Sequence, residues 1–112
     1  RQLEDIVRRH NDRAVTEERI LTLEEQMNVY RARVDEINVQ LVTLRKLPQG
    51  AKLRGHLADK MEEISARLQD ATITLADMKA ALMTQRIELQ DKLAELTLRQ
   101  DDPDKVAKGG NP

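Results

Sequence analysis

The chain has 112 residues, no cysteine and one aromatic residue, Tyr30, while charged residues make up 35% of it. Disulfides and thiolate metal sites are therefore excluded, and a rounded core is not expected, because aromatic rings supply the largest buried areas. Ala, Glu, Lys, Leu and Arg fill about half of the positions, as in long helices and coiled coils. The net charge of −1 creates no global field that would attract nucleic acid or an anionic membrane.

The first periodic stretch predicts a helix over about 2–46. Its apolar residues recur in alternating steps of three and four, so every a and d position of a heptad repeat is apolar. These residues are Ile20, Leu23, Met27, Tyr30, Val34, Ile37, Leu41 and Leu44. The pattern is typical of coiled-coil packing.

A turn is predicted over 47–51. Pro48 disfavours a helical conformation at Leu47, and Gly50 tolerates a left-handed backbone. The first helix is therefore expected to end here.

The second periodic stretch predicts a helix over about 52–100, again with unbroken heptads. Its a and d residues are Leu57, Met61, Ile64, Leu68, Ala71, Leu75, Met78 and Leu82. With a turn between them, the two helices are expected to form an all-α antiparallel coiled-coil hairpin over residues 1–100, with these sixteen residues as its seam. Residues 101–112 are predicted to be a flexible tail.

Two registers of the hairpin place a residues against d residues. In one, paired residue numbers sum to 98, Leu23 lies opposite Leu75, and the turn is short. In the other the sum is 105, Leu23 lies opposite Leu82, and a longer loop ends near Gly55. Short helix–helix connections are the commoner ones, which favours the sum of 98.

The seam weakens at the end far from the turn. The first heptad extends backwards through the polar residues Thr16, Arg13 and Arg9 to Ile6. The second heptad continues through Gln85, Leu89, Lys92 and Leu96. An offset stripe, as after a skipped residue, consists of Leu3, Val7, His10 and Ala14. Two interpretations remain: a fraying end, or an end that opens to meet a protein partner or a part of the chain upstream of Arg1.

The second helix has another row of small and apolar residues opposite the seam, where solvent is expected. This outer face consists of Ala66, Ile73, Ala76, Ala80, Met83, Ile87 and Ala94. A helix with two apolar stripes favours two packing partners. The sequence predicts self-association through this face, with two hairpins forming a four-helix arrangement. The alternative is a docking face for another protein.

The turn carries a local excess of positive charge, which we call the basic tip. No acidic residue lies between Glu36 and Asp59, and the tip consists of Arg45, Lys46, Lys52 and Arg54. Cations are favourable at the C-terminus of a helix, which explains Arg45 and Lys46. The other two lie near the start of the second helix, where no structural reason is evident. The tip is either a solvated loop, which is the favoured interpretation, or a contact for an acidic or phosphate-bearing partner. The missing aromatics argue against single-strand binding.

No residues with catalytic, metal-binding or cofactor-binding spacing stand out. His10 and His56 lack a histidine at i+4, and Ser65, the only serine, has no spaced His and Asp to activate it. No apolar run approaches the roughly 18–20 residues that span a bilayer. We therefore expect neither an enzyme, nor a bound cofactor, nor a membrane segment in this chain.

The region around residues 14–96 resembles small coiled-coil proteins of Mu-like bacteriophages. The shared features are a charged approach at Thr16-Glu17-Glu18-Arg19, a helix, the Leu47-Pro48 break and a second helix. Gln49 stands where a capping Thr is usual in that family, and Lys52 stands where an Asp often precedes Leu. The resemblance implies a helical protein, often with a membrane segment upstream, and no known mechanism.

These observations predict a non-catalytic scaffold or assembly module that acts through protein–protein interaction and forms a homodimer. The alternative is a recognition arm whose basic tip contacts nucleic acid or an acidic surface.

Overall fold

The computed structural model describes residues 1–100 and consists of two long α-helices and one short 3₁₀ turn. Helix α1 spans Gln2–Leu44, the 3₁₀ turn is Pro48–Gly50, and helix α2 spans Ala51–Gln100. The described residues contain no strand. The predicted all-α helical hairpin is confirmed, and the predicted tail 101–112 lies outside the described residues.

Helix α1 ends two residues earlier than predicted, and its last turn tightens. The backbone N–H of Leu47 donates to the carbonyl of Leu44 at 3.0 Å, and that of Lys46 donates to the carbonyl of Thr43 at 3.4 Å. Bonds of this i→i−3 type satisfy carbonyls that an α-helix leaves without partners at its C-terminus. Neither Gly nor Pro interrupts α1, so nothing in its sequence ends the helix before this point.

The turn follows from Pro48. Leu47 has extended backbone angles, φ −111° and ψ 114°, which confirms the predicted effect of the proline on the residue before it. Gly50 does not use a left-handed conformation, since no described residue has a positive φ. It is buried, and a Cβ atom there would lie 3.3 Å from Cδ2 of Leu44. The glycine therefore allows a close approach rather than an unusual backbone angle.

The chain divides into two compact units. The turn unit is Arg19–Met78, and the terminal unit combines Arg1–Glu18 with the chain from Lys79 onward. In the turn unit, all fifteen seam residues from Ile20 to Met78 are buried or half-buried. The most buried is Ile37, which is 1% exposed. The heptad spacing thus places a continuous apolar row between the two helix segments of this unit.

In the terminal unit the same heptad positions face the interior. They are buried or half-buried at Ile6, Arg9, Arg13, Thr16, Leu82, Gln85, Leu89, Lys92 and Leu96. The offset stripe is exposed at all four of its residues, so the inference of a skipped residue was wrong. Because α1 is uninterrupted, its register continues, and long side chains can cover the seam with their aliphatic stems while their charged ends reach water.

The connection in the turn unit agrees with the register in which residue numbers sum to 98. Helix α2 already begins at Ala51, so no longer loop ending near Gly55 forms. A shallow groove brings Leu44 together with Leu53 and Leu57. A sum of 98 places residue 54 opposite Leu44, between those two leucines, whereas a sum of 105 would place residue 61 there.

Candidate functional site

The outer face of α2 is exposed in both units. In the turn unit, Ile73 is 56% exposed, and Ala66 and Ala76 are exposed beside it along the helix. In the terminal unit, Met83 is 65% and Ile87 is 52% exposed. Ala80 and Ala94 are exposed in that unit as well. No contact within the hairpin explains why large apolar side chains occupy these positions.

A second apolar patch lies on α1 in the terminal unit. Leu3 and Val7 are exposed and line a shallow groove with Arg8 and Asn11. Leu3 and Val7 belong to the offset stripe, which lies in the part of the sequence where an opening to a partner was predicted. Their exposure leaves that surface free within the described residues.

The basic tip divides into exposed and engaged residues. Arg45, Lys46 and Lys52 are exposed. Arg54 is half-buried, and its Nη1 donates to the carbonyl oxygen of Leu44 at 2.7 Å and to that of Leu47 at 2.9 Å. The expectation that Arg54 lacks a structural role was therefore wrong, because its guanidinium caps the C-terminus of α1.

Proline chemistry explains why that cap forms. In a continuing helix, the N–H of residue 48 would donate to the carbonyl of Leu44, but Pro48 has no N–H. Arg54 lies one turn into α2, and its long side chain reaches back to the carbonyl. The signal in the sequence is a proline four residues after a seam leucine, followed six residues later by an arginine.

Ion pairs cross between the helices of the terminal unit. Arg9 donates from Nε to Asp5 at 3.1 Å and from Nη1 to Glu88 at 2.8 Å. The hydrogen bond from Arg9 is the main reason that the pKa of Asp5 lies below its ordinary value of 3.8. In turn, the hydrogen bond to Asp5 raises the pKa of Arg9.

Glu17 is the centre of a second cluster in this unit. Its Oε1 accepts from Nη1 of Arg13 at 2.7 Å and from Nη2 of Arg86 at 3.1 Å. These bonds, led by that of Arg86, hold the pKa of Glu17 below its ordinary value of 4.5. Residue 9 pairs with 88 and residue 17 with 86, so the two helix segments of the unit run antiparallel. These ion pairs were not predicted from the sequence, because polar residues at seam positions resemble a loss of the heptad pattern.

The polar groups of the seam offer no evident chemistry. Oε1 of Gln85 is buried without a hydrogen-bond partner, at a heptad position next to these ion pairs. His10 lies on the exposed stripe, where its Nδ1 accepts from Nη2 of Arg13 at 3.0 Å. Within residues 1–100, no group of three or more His, Cys, Asp or Glu side chains is arranged to hold a metal ion.

Comparison with models of protein families, with curated proteins and with solved structures found no match. The resemblance to coiled-coil proteins of Mu-like bacteriophages therefore stays a prediction. Neither helix, over its described length, combines the extent and apolarity that a membrane crossing requires.

Proposed function

We propose that this protein is a non-catalytic assembly module in which two hairpins associate through the outer face of α2. The association would place two α2 helices against each other and produce a four-helix arrangement. A scaffold or spacer of this kind acts by joining proteins rather than by transforming a substrate.

The observation that carries this proposal is the exposure of Met83 and Ile87, at 65% and 52%, on the side of α2 that faces away from the seam. A helix packed on one side normally presents polar residues on the other. Ala80 and Ala94 flank these two residues along the same face, and their small side chains allow two helix backbones to approach closely.

The test is the mass of the protein in solution. The chain has a mass of 12.8 kDa, and the proposal requires twice that value by light scattering at micromolar concentration. The double variant Met83→Glu/Ile87→Glu is expected to have the monomer mass with unchanged helical circular dichroism, because its carboxylates cannot be buried in a dimer.

The matched control is Leu21→Glu/Val29→Glu, which places the same two charges on exposed apolar residues of α1. It should leave the dimer intact. A wild-type protein that remains monomeric over the accessible concentration range would contradict the proposal.

A second candidate function is a recognition arm that uses the basic tip. Arg45, Lys46 and Lys52 are exposed, and no acidic residue lies between Glu36 and Asp59 to neutralise them. Neutralising these three residues should then abolish a salt-dependent mobility shift with duplex DNA or RNA. Arg54 is excluded from this test because its guanidinium caps α1. The absence of any shift at low salt would remove nucleic acid as the partner.

A further inference from the structure

We infer that the second copy docks in parallel, with the two α2 helices running in the same direction. The inference rests on the proposed self-association and specifies its geometry. It depends on the two rows of residues that border the outer face of α2, because such bordering residues decide the orientation of paired helices.

The two borders differ in chemistry in the terminal unit. One border, which we call the basic flank, consists of Lys79, Arg86 and Leu93. The other, the acidic flank, consists of Thr84, Asp91 and Leu98. All six residues are exposed. Each residue of the basic flank lies five positions before one residue of the acidic flank: Lys79 before Thr84, Arg86 before Asp91 and Leu93 before Leu98.

That spacing suits parallel pairing. In a parallel pair, a residue of one flank faces the residue five positions later on the opposite flank of the partner helix. Arg86 then faces Asp91 of the second copy, and Leu93 faces Leu98 of the second copy, and the two-fold symmetry makes each contact occur twice. Leu93 and Leu98 are 45% and 71% exposed in the single hairpin, and this arrangement covers both.

An antiparallel pair instead brings like flanks together. The basic flank then lies against the basic flank and the acidic flank against the acidic flank, so the contact between Arg86 and Asp91 of the two copies is lost. In the α2 segment of the turn unit, taken by itself, one flank is acidic and the opposite flank is uncharged. Its acidic flank consists of Glu63, Asp70 and Asp77, and its opposite flank consists of Ser65 and Thr72. Pairing opposite flanks therefore avoids acid–acid contacts there as well.

Arg86 remains able to form the contact between copies. It donates to Glu17 within the hairpin at 3.1 Å, but its side chain is 57% exposed. A guanidinium has five N–H donors, so one acceptor does not saturate it. Asp91 is exposed and forms no ion pair among the described residues, which leaves its carboxylate free for a cation of the second copy.

Single cysteines test the orientation directly, because the chain has none of its own. Ala80→Cys and Ala94→Cys are placed fourteen residues apart on the outer face, about 21 Å along the helix. A disulfide requires Cα atoms about 4.4–6.8 Å apart. In a parallel dimer both variants should form disulfide-linked dimers under mild oxidation, whereas in an antiparallel dimer at most one can.

Charge reversal provides a second, independent measurement. Asp91→Lys places a cation opposite Arg86 of the second copy, and we expect the dimer Kd to rise about fivefold to tenfold. Glu25→Lys makes the same charge change at an exposed position of α1 and should leave the Kd unchanged.

The outcomes separate the two proposals. A wild-type dimer in which only one cysteine variant crosslinks would overturn the parallel orientation and leave self-association intact. A dimer with the same Kd before and after Asp91→Lys would also contradict the parallel orientation. A wild-type monomer would overturn both self-association and its parallel orientation.

Discussion

The turn unit and the terminal unit use the same helix geometry with different chemistry. In the turn unit, every seam position over 20–44 and 57–78 is apolar, and the one charged residue of the row, Arg54, lies at the turn, where it caps α1. In the terminal unit, Arg9 and Arg13 occupy seam positions and reach the carboxylates of Glu88 and Glu17. Apolar burial is insensitive to pH and strengthened by many salts, whereas exposed ion pairs weaken under both acid and salt. Acid or added salt is therefore expected to destabilise the terminal unit more than the turn unit.

The largest expected effect comes from a cavity in the turn unit. Ile37 is 1% exposed, so Ile37→Ala removes buried methyl groups and leaves a void. We expect the free energy of unfolding to fall by about 2–5 kcal/mol, as measured by urea unfolding monitored by circular dichroism. Val39→Ala removes apolar atoms from a side chain that is 67% exposed, and it should cost less than about 0.5 kcal/mol. If both variants lowered the free energy of unfolding equally, Ile37 would not be a buried residue of the seam.

A smaller loss is expected from the cap at the turn. Arg54→Ala removes a charged second donor to the carbonyls of Leu44 and Leu47, which keep their backbone donors, and should lower the free energy of unfolding by about 1 kcal/mol. The matched control is Lys52→Ala, since Lys52 is an exposed cation two residues away. If both variants unfolded at the same urea concentration, Arg54 would be a solvated tip residue after all.

Acid should produce the smallest effect and confine it to the terminal unit. The folded state holds the pKa of Asp5 and Glu17 below their ordinary values. Their contribution to stability is therefore present above those ordinary values and is lost as the pH falls through the depressed ones. Hydrogen exchange, corrected for the intrinsic effect of pH, should show lost protection at Gln2–Glu18 before any loss around Ile37. Glu17→Gln should reduce this pH dependence, and simultaneous loss in both units would contradict the comparison.

The apolar half of the fold could be predicted from the sequence because periodicity reports on it directly. Steps of three and four residues place side chains on one helix face whatever the partner is, and Pro48 interrupts a backbone hydrogen bond in any context. The outer face of α2 was predictable for the same reason, since Met83 and Ile87 follow the seven-residue spacing.

The polar half could not be predicted in the same way. An arginine at a heptad position, such as Arg9, predicts weak packing when only its residue type is known. The structure shows that its guanidinium lies 2.8 Å from the carboxylate of Glu88. Arg54 was missed because its acceptors are backbone carbonyls, which every residue has, so the only mark in the sequence is the spacing between Leu44, Pro48 and Arg54. Gly50 was assigned a conformational role, whereas its lack of a Cβ atom permits a close approach to Leu44.

The cap by Arg54 has a consequence for the order in which the chain folds. Arg54 and Leu44 are ten residues apart, whereas Arg9 and Glu88 are 79 apart. The entropy lost on closing a loop grows with its length, so the short loop closes at the lowest cost. We expect the two helices to pair first at the turn and then progressively towards the termini. The arginine that satisfies the end of one helix would thereby also set the starting point for pairing both.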